Sequence, residues 1–592
     1  MNNKKSKFGV GYLIIRSIVQ YIKTARAWAI LEHGISMLSA FTLFLGILTT
    51  QRLFDLITEA SYENISYKHV GFSLGIMAIV IIAQQIFRGI DKYLLGHVSY
   101  KNVGKFMAEL MQKLSRVEPE NFENPAFLDN IDKAKRCIEY EALGYFSSNC
   151  LRVFTYYGVF FLCVFLYFFR LSPTFPLIII ISFIPAILGQ FIQIKIFKVL
   201  EDEIAPLRRQ YNYYKEAISD QRYFKETRTL GAFLNFRKLF RDTHALLTNK
   251  SWKVEYKVTG IRISLGLISF IGFGVSALML FNTTISGNIT IGTFVAVFGV
   301  LSQIFSMADE LTSIYVSEGS ETLGKIEIYY NLLDMKEVDG NDGTVDLSKG
   351  IIAENISFSY NGTNKMAIDN VSLRISEGES IAIVGENGAG KTTLVRLLIG
   401  LYRPSSGKVL IGGLDTKKTH PNSIYKVISG VFQNFQRYKM TLLTNVSISN
   451  INQIQNSDKI RKVLKDCDFD ETMPLDTMLS TEFDGIDLSG GQWQRLAISR
   501  GLYRTHELIV LDEPTAAIDP IEEERIYQKF RDLSQNKTTI LVTHRLASAK
   551  FADKIVVMDK GKILDIGKHD ELIKNNGKYA SMWKAQSSWY IR

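Results

Sequence analysis

The sequence predicts two folds in series: an all-α domain of six membrane-spanning helices, followed by an α/β domain of P-loop type. Three observations carry this. Charge-free stretches of membrane-spanning length crowd residues 34–308, and residues 348–592 alternate short apolar strands with helices at ordinary charge density. Within that second half, the apolar run Ser380 to Val384 leads straight into a glycine-rich loop, GENGAGKTT, at Gly385 to Thr393. A chain of 592 residues, 47% hydrophobic and 22% charged, is too long for one core. Its predicted divisions are a membrane domain over 1–335, a charged, glycine-dotted linker over 336–347, and the α/β domain over 348–592.

The N-terminal segment is basic, and its first acid is Glu32. Ile14, Ile15, Ile18, Val19 and Ile22 share one helical face, with Arg16, Gln20 and Lys23 opposite, the pattern of a helix lying along a bilayer surface. A cytosolic lead-in explains it better than a cleaved targeting peptide. Six spans follow: Gly34 to Gln51, Val70 to Phe87, Val153 to Phe169, Leu171 to Ile194, Ile263 to Phe281 and Ile291 to Met307. A single such stretch is compatible with a buried helix of a soluble protein. Six in one half are not, because a charge at mid-bilayer costs about 3 kcal/mol and these segments avoid it.

Lys and Arg number 6, 10 and 15 in the segments up to Arg26, Arg88 to Arg152 and Lys195 to Arg262, against 3 in the opposite loops. That asymmetry predicts a multi-pass protein of the cell membrane with both termini in the cytosol. It also explains the net charge of +10, since the cations flank apolar runs and form no basic stripe that would suit nucleic acid. Cys137, Cys150, Cys163 and Cys467 have neither metal-type spacing nor an oxidising compartment, so no disulfide and no zinc site are expected. On the sixth span Gln303, Ser306, Glu310, Ser313 and Ser317 recur at steps of three and four, a face that either lines a wet cavity or packs helices together.

In the second half, Gly385, Asn387, Gly388, Ala389 and Gly390 form a loop whose backbone N–H groups can approach phosphate oxygens at a helix start. Lys391 can bridge the outer phosphates, and the hydroxyls of Thr392 and Thr393 follow, that of Thr392 suiting Mg²⁺. The apolar strand LIVLDE ends in Asp512, placed for a metal shell, and Glu513, placed to polarise an attacking water. LSGGQ, with Ser489, Gly490, Gly491 and Gln492, opens another helix, and its N–H groups make a second phosphate grip that contains no lysine. His544 ends a further β-like run, Thr538 to Val542, at the strand end where doubly wound folds carry their chemistry.

The order P-loop, LSGGQ, LDE resembles the ABC ATPases, strongly over residues 348–592. The long inner loops and minimal outer ones resemble the exporter-type membrane domain of that family. The resemblance implies that Tyr360 stacks on adenine, that Gln433 in VFQNF contacts Mg²⁺ or the attacking water, and that Asp519 in AAID is the D-loop aspartate. It gives His544 a contact to the γ-phosphate and makes LSGGQ dock on the ATP held by the P-loop of a second chain. Because every hydrolytic element is intact, a homodimer with two equal sites is expected. Transverse segments at Pro119 to Asn130 and Arg222 to Leu230 are expected to press on the ATPase domains. Two departures stand out: Ala516 and Ala517 where Ser-Ala is common, and TEFDGID before LSGGQ, which lacks the usual final glycine.

KETRTLGAF and NFENPAFLDNI are similar to stretches of bacterial peptide and bacteriocin exporters, including lantibiotic-type ones, and Asp309 with Glu310 would suit a cationic peptide. The expected activity is therefore ATP-driven export, with ATP and Mg²⁺ as cofactors and a peptide or amphipathic cargo. Alternatives are export of lipids or amphipathic drugs, or siderophore uptake. No cysteine-protease domain is expected ahead of the first span, so leader cleavage would fall to another protein. The soluble ABC ATPases of DNA repair or translation predict paired cassettes and no spans, contrary to this pattern.

Overall fold

The computed structural model describes residues 9–62, 67–220, 222–312, 319–360, 365–454, 456–470, 472–513, 525, 528 and 537–587. Asp519, Ala516, Ala517, Ser313 and Ser317 lie outside them. The chain forms two compact units, one of Met1–Ser115 with Asp129–Met335, the other of Arg116–Leu128 with Lys336–Arg592.

The first unit is helical. α1 (Val10–Thr24) precedes α2 (Arg26–Tyr62), α3 (Tyr67–Leu114), α4 (Pro125–Glu139) and α5 (Ala142–Arg152). A π-helical turn, Val153–Gly158, joins α5 to α6 (Val159–Leu171), and then come α7 (Thr174–Ser219), α8 (Phe224–Thr229), α9 (Phe233–Ile285), α10 (Ile291–Thr312) and α11 (Gly319–Leu333). Its core joins Leu43 and Ile47 of α2, Phe160, Val164 and Phe168 of α6, Ile179 of α7, Leu280 of α9 and Val297 and Leu301 of α10. Ile79, Ile82 and Ile86 of α3 and Leu267, Phe270 and Ile271 of α9 face outward, as helix surfaces in contact with lipid do.

Among the described residues, five helices are long and apolar enough to cross a membrane, in Arg26–Ser61, Tyr67–Leu114, Ala142–Leu171, Phe233–Ile285 and Ile291–Ala308. The expected fourth span lies in α7, whose apolar start at Thr174 is set off from α6 by the extended Ser172 and by Pro173. α9, at 53 residues, is roughly 80 Å long, far more than the ~30 Å of hydrocarbon, so charged helix continues beyond the apolar segment.

α1 is amphipathic, but it is the polar side that docks. Arg16 pairs with Asp334 at 2.6 Å and lies over the Tyr330 ring, and Gln20 bonds Tyr329 and Tyr330, while Ile15, Val19 and Ile22 stay exposed. Near the start of the third span, Arg152 forks onto Asp91 at 2.6 and 3.1 Å with both side chains largely buried. Removing one partner of such a pair costs about 3–5 kcal/mol. Asp91→Ala is therefore expected to lower the thermal unfolding temperature in detergent, and Asp91→Leu with Arg152→Met to recover most of it; equal losses in both would refute that reading of the pair.

The second unit is α/β. One antiparallel sheet runs β2-β1-β4-β5, from β1 (Ile351–Phe358), β2 (Ile368–Ile375), β4 (Ser406–Ile411) and β5 (Leu414–Asp415). The other runs β10-β9-β3-β8-β7-β6, from β3 (Ser380–Gly385), β6 (Ile428–Val431), β7 (Leu508–Asp512), β8 (Thr538–Val542), β9 (Lys554–Asp559) and β10 (Lys562–Gly567), parallel except at β10. The strand period of two decides the layers. Ile381 and Ile383 face α12 (Lys391–Leu398) and the antiparallel sheet, whereas Ala382 and Val384 face Leu546, Leu572 and Tyr579 on the other side. Residues 336–347, expected as a linker, are tied down: Asn341 pairs with the backbone of Lys418 and His420, and Val345 and Leu347 enter the core.

Candidate nucleotide site

The ends of β3, β7 and β8 converge on a cleft of about 1030 Å³. Tyr360, Gly385, Asn387, Gly388, Ala389, Gly390, Lys391, Thr392, Thr393, Gln433, Glu513 and His544 line it, drawn together from five separate stretches of sequence. The loop after β3 depends on glycine at two points. Gly390 has φ +98°, and a Cβ there would sit 2.7 Å from the carbonyl oxygen of Ala367; at Gly385 it would sit 2.4 Å from that of Met558. Hence the backbone can curl into a cradle of N–H groups at the start of α12.

Lys391 folds back into this loop, donating to the carbonyls of Gly385 at 2.8 Å and Glu386 at 3.0 Å. Burial lowers its pKa, an effect countered by the nearby charges of Glu513 and Asp512. Asp512 is buried at the end of β7; desolvation first, and Glu513 second, hold it above the usual carboxylate range, against the pull of Arg396, the Thr392 hydroxyl and Lys391. Its Oδ1 has no hydrogen-bond partner among the described residues. A buried carboxylate oxygen left over beside a threonine hydroxyl is the donor set a hard divalent cation takes.

Gln433, Glu513 and His544 meet. Gln433 Nε2 donates to Glu513 Oε2 at 2.8 Å, and His544 Nδ1 lies 3.2 Å from Glu513 Oε1. Glu513 adopts φ +47°, with its N–H held by the carbonyl of Val542 at 3.0 Å. For a residue with a Cβ that conformation costs on the order of 1–3 kcal/mol, and neighbouring structure must hold it. Tyr360 is anchored by its hydroxyl to Thr393 at 2.8 Å, edge-on to Phe358 and Tyr402.

Ser489, Gly490, Gly491 and Gln492 do not line the cleft. They open the helix Gly490–Tyr503, where the Ser489 hydroxyl accepts from the Gln492 N–H at 3.3 Å and Gln492 Oε1 accepts from the Ser489 N–H at 2.9 Å. The Ser489 oxygen thus caps the helix, while Ser489 itself and the first-turn residues Gly490 and Gly491 remain accessible at the surface.

Several residues at the site were not foreseen. Met582 and Gln586 of the C-terminal helix line the cleft, as do Lys560 and Gly561. Within the same unit Glu123, in the 3₁₀ segment Pro119–Glu123, accepts from Arg396 at 3.0 Å and from the Tyr402 hydroxyl at 2.7 Å, and Glu118 lies 3.4 Å from Arg403. Arg396 follows Lys391 on α12, and the Tyr402 ring packs edge-on to Tyr360, so the segment Pro119–Glu123 contacts residues that stand directly behind the lining of the cleft. No local pattern marks Arg396 or Tyr402; only the fold brings them to Glu123.

A family profile described as ABC transporter matches residues 368–516. The chain is 29% identical over 508 residues to the subtilin transport ATP-binding protein SpaT of Bacillus subtilis, covering 82% of this chain and 80% of that one. It is 26% identical over 570 residues to the nisin transport ATP-binding protein NisT of Lactococcus lactis subsp. lactis, 93% of this chain and 92% of the relative. An ATP-dependent lipid A-core flippase of Photobacterium profundum is 32% identical over 304 residues, half of this chain. A solved bacterial Atm1-family ABC exporter with ATP bound shares the fold at TM-score 0.72 and 20% identity, over 95% of this chain and 98% of that one. Joined to a glycine cradle, a strand-end carboxylate pair and a separate LSGGQ helix, the profile match identifies an ABC transporter ATPase domain at residues 368–516, carried behind an apolar helical domain in a fold shared with an ABC exporter, and these likenesses support ATP hydrolysis coupled to transport.

Proposed function

We propose that two copies of this chain form a homodimeric exporter in the cell membrane, both termini cytosolic, that moves a peptide of the bacteriocin or lantibiotic kind outward. One observation carries the dimer: Gln433, Glu513 and His544 are gathered on the P-loop cleft, yet LSGGQ opens another helix and does not line that cleft. A second chain arranged head to tail brings its LSGGQ N–H groups onto the γ-phosphate. Asp519 belongs to the same junction in this reading, which rests there on the family resemblance alone.

In the proposed reaction Tyr360 stacks on adenine, the loop Gly385 to Thr393 holds the phosphates, and Lys391 exchanges its carbonyl partners for phosphate oxygens. Asp512, Thr392 and Gln433 would hold Mg²⁺, which would supply neutralisation of phosphate charge. Glu513 takes the proton of a water whose oxygen attacks the γ-phosphorus; the bond to the β–γ bridging oxygen breaks and ADP departs. His544 orients the γ-phosphate. Glu123 and Glu118 carry closure of the site to the helices, and export follows if the inward state binds cargo more tightly than the outward state.

For the cargo, the relatives named for subtilin and nisin transport match over 82% and 93% of this chain, whereas the flippase matches over half of it. The test is uptake into inverted vesicles. A fluorescent cationic amphipathic peptide should accumulate with ATP and not with a non-hydrolysable analogue, and a labelled phospholipid should not be flipped. ATP-dependent lipid movement without peptide uptake would replace the peptide reading with the lipid one.

A further inference from the structure

The C-terminal helix, Lys578–Ser587, borders the ATPase cleft and is fastened at both ends. At its start the Lys578 ammonium sits between Asp559 at 2.9 Å and Glu386 of the phosphate loop at 3.1 Å. In its middle Tyr579 bonds His569 at 2.7 Å and packs with Trp583 against Val384, Leu546 and Ala549. At its end the Gln586 amide is used from both sides. Oε1 accepts from the Leu546 N–H at 2.9 Å, and Nε2 donates to the His544 carbonyl at 2.5 Å.

Those two backbone groups flank Arg545, so one side chain 42 residues away in sequence bridges the loop that presents the imidazole to Glu513. Locally the loop is shaped by Thr543, whose hydroxyl accepts from the Arg545 N–H at 2.9 Å. The Thr543 turn leaves the carbonyl of His544 and the N–H of Leu546 to other partners, and the amide of Gln586 serves both at once. An amide is the side-chain group that can donate and accept across so short a span.

We infer that Gln586 is a positioning residue for ATP hydrolysis: by pinning the backbone on either side of Arg545 it sets His544 against Glu513, so the C-terminal helix governs turnover and not nucleotide affinity. The inference rests on the hydrolytic reading of His544 and Glu513 given above.

The test uses the full chain in nanodiscs, with kcat, KM for ATP and Tm measured for Gln586→Met, which loses both hydrogen bonds, and Gln586→Glu, which keeps the acceptor and loses the donor. Expected are a fall in kcat of about tenfold for Met, the scale of one or two net hydrogen bonds, a smaller fall for Glu, and an unchanged KM. Because Gln586 acts through His544, Gln586→Met should add nothing in a His544→Ala background. If Gln586→Met lowers Tm, the isosteric Gln586→Glu decides by the same split between kcat and KM. Equal changes in kcat and KM, a full additional loss in the His544→Ala background, or unaltered turnover in both variants beside a slowed His544→Ala chain would overturn the inference alone. A His544→Ala chain that hydrolyses ATP at the full rate would overturn the hydrolytic reading, and the inference with it.

Discussion

Glu513→Gln is expected to bind ATP as tightly as the parent chain and to hydrolyse it about 10²–10⁴-fold more slowly, the range attributed to a positioned general base. The geometry argues for such a clean separation. Glu513 is 14% exposed at the end of β7, with one carboxylate oxygen taken by Gln433 and the other facing His544. An amide of the same shape keeps the contact to Gln433 through its carbonyl oxygen but cannot accept the proton of water. Phosphate release and retained labelled nucleotide, measured on the same sample, check the two halves of the prediction. Unchanged turnover would remove Glu513 from its role as base.

Lys391→Ala is expected to act on the other half of the cycle, weakening ATP binding about 10- to 100-fold, the range of a charged hydrogen bond lost from a buried site. In this structure the ammonium spends its protons on two carbonyls of its own loop, and burial already disfavours its charge. A triphosphate offers it anionic partners instead, so the exchange is downhill only when nucleotide arrives. Titration with a fluorescent ATP analogue reads the affinity. Full affinity in the variant would mean that the glycine cradle and helix start suffice without the lysine.

The membrane half was readable where the chain is one-dimensional. Apolar runs such as Val70 to Phe87 need only length and freedom from charge to declare themselves, and they lie in the helices expected. The fourth lies in α7 likewise, its start displaced from Leu171 to Thr174 because Ser172 turns extended. In the α/β half, GENGAGKTT and LDE are local motifs whose chemistry is written in adjacent residues, and the cleft assembles them as spacing suggests. Hidden from the sequence were contacts made by return of the chain. Gln586 reaches His544, and Glu123 reaches Arg396 and Tyr402 across 273 and 279 residues. Ser489 has a local use that the sequence also contains: a serine three residues before a glutamine makes a capping box, and in the single chain its oxygen caps the helix.

The central claim, that each ATP is enclosed by two copies of the chain, is tested most directly by mixing crippled copies. In the Glu513→Gln background, one tagged chain carries Lys391→Ala and a differently tagged chain carries Ser489→Arg; doubly tagged dimers are isolated and the ATP retained after rapid desalting is counted. Sites shared between chains predict ATP retained in the doubly tagged dimer, at one per dimer, and little in either variant alone, because only the mixture pairs an intact phosphate loop with an intact LSGGQ. Sites formed within one chain would leave the mixed dimer as empty as its parents, and that result would contradict the account.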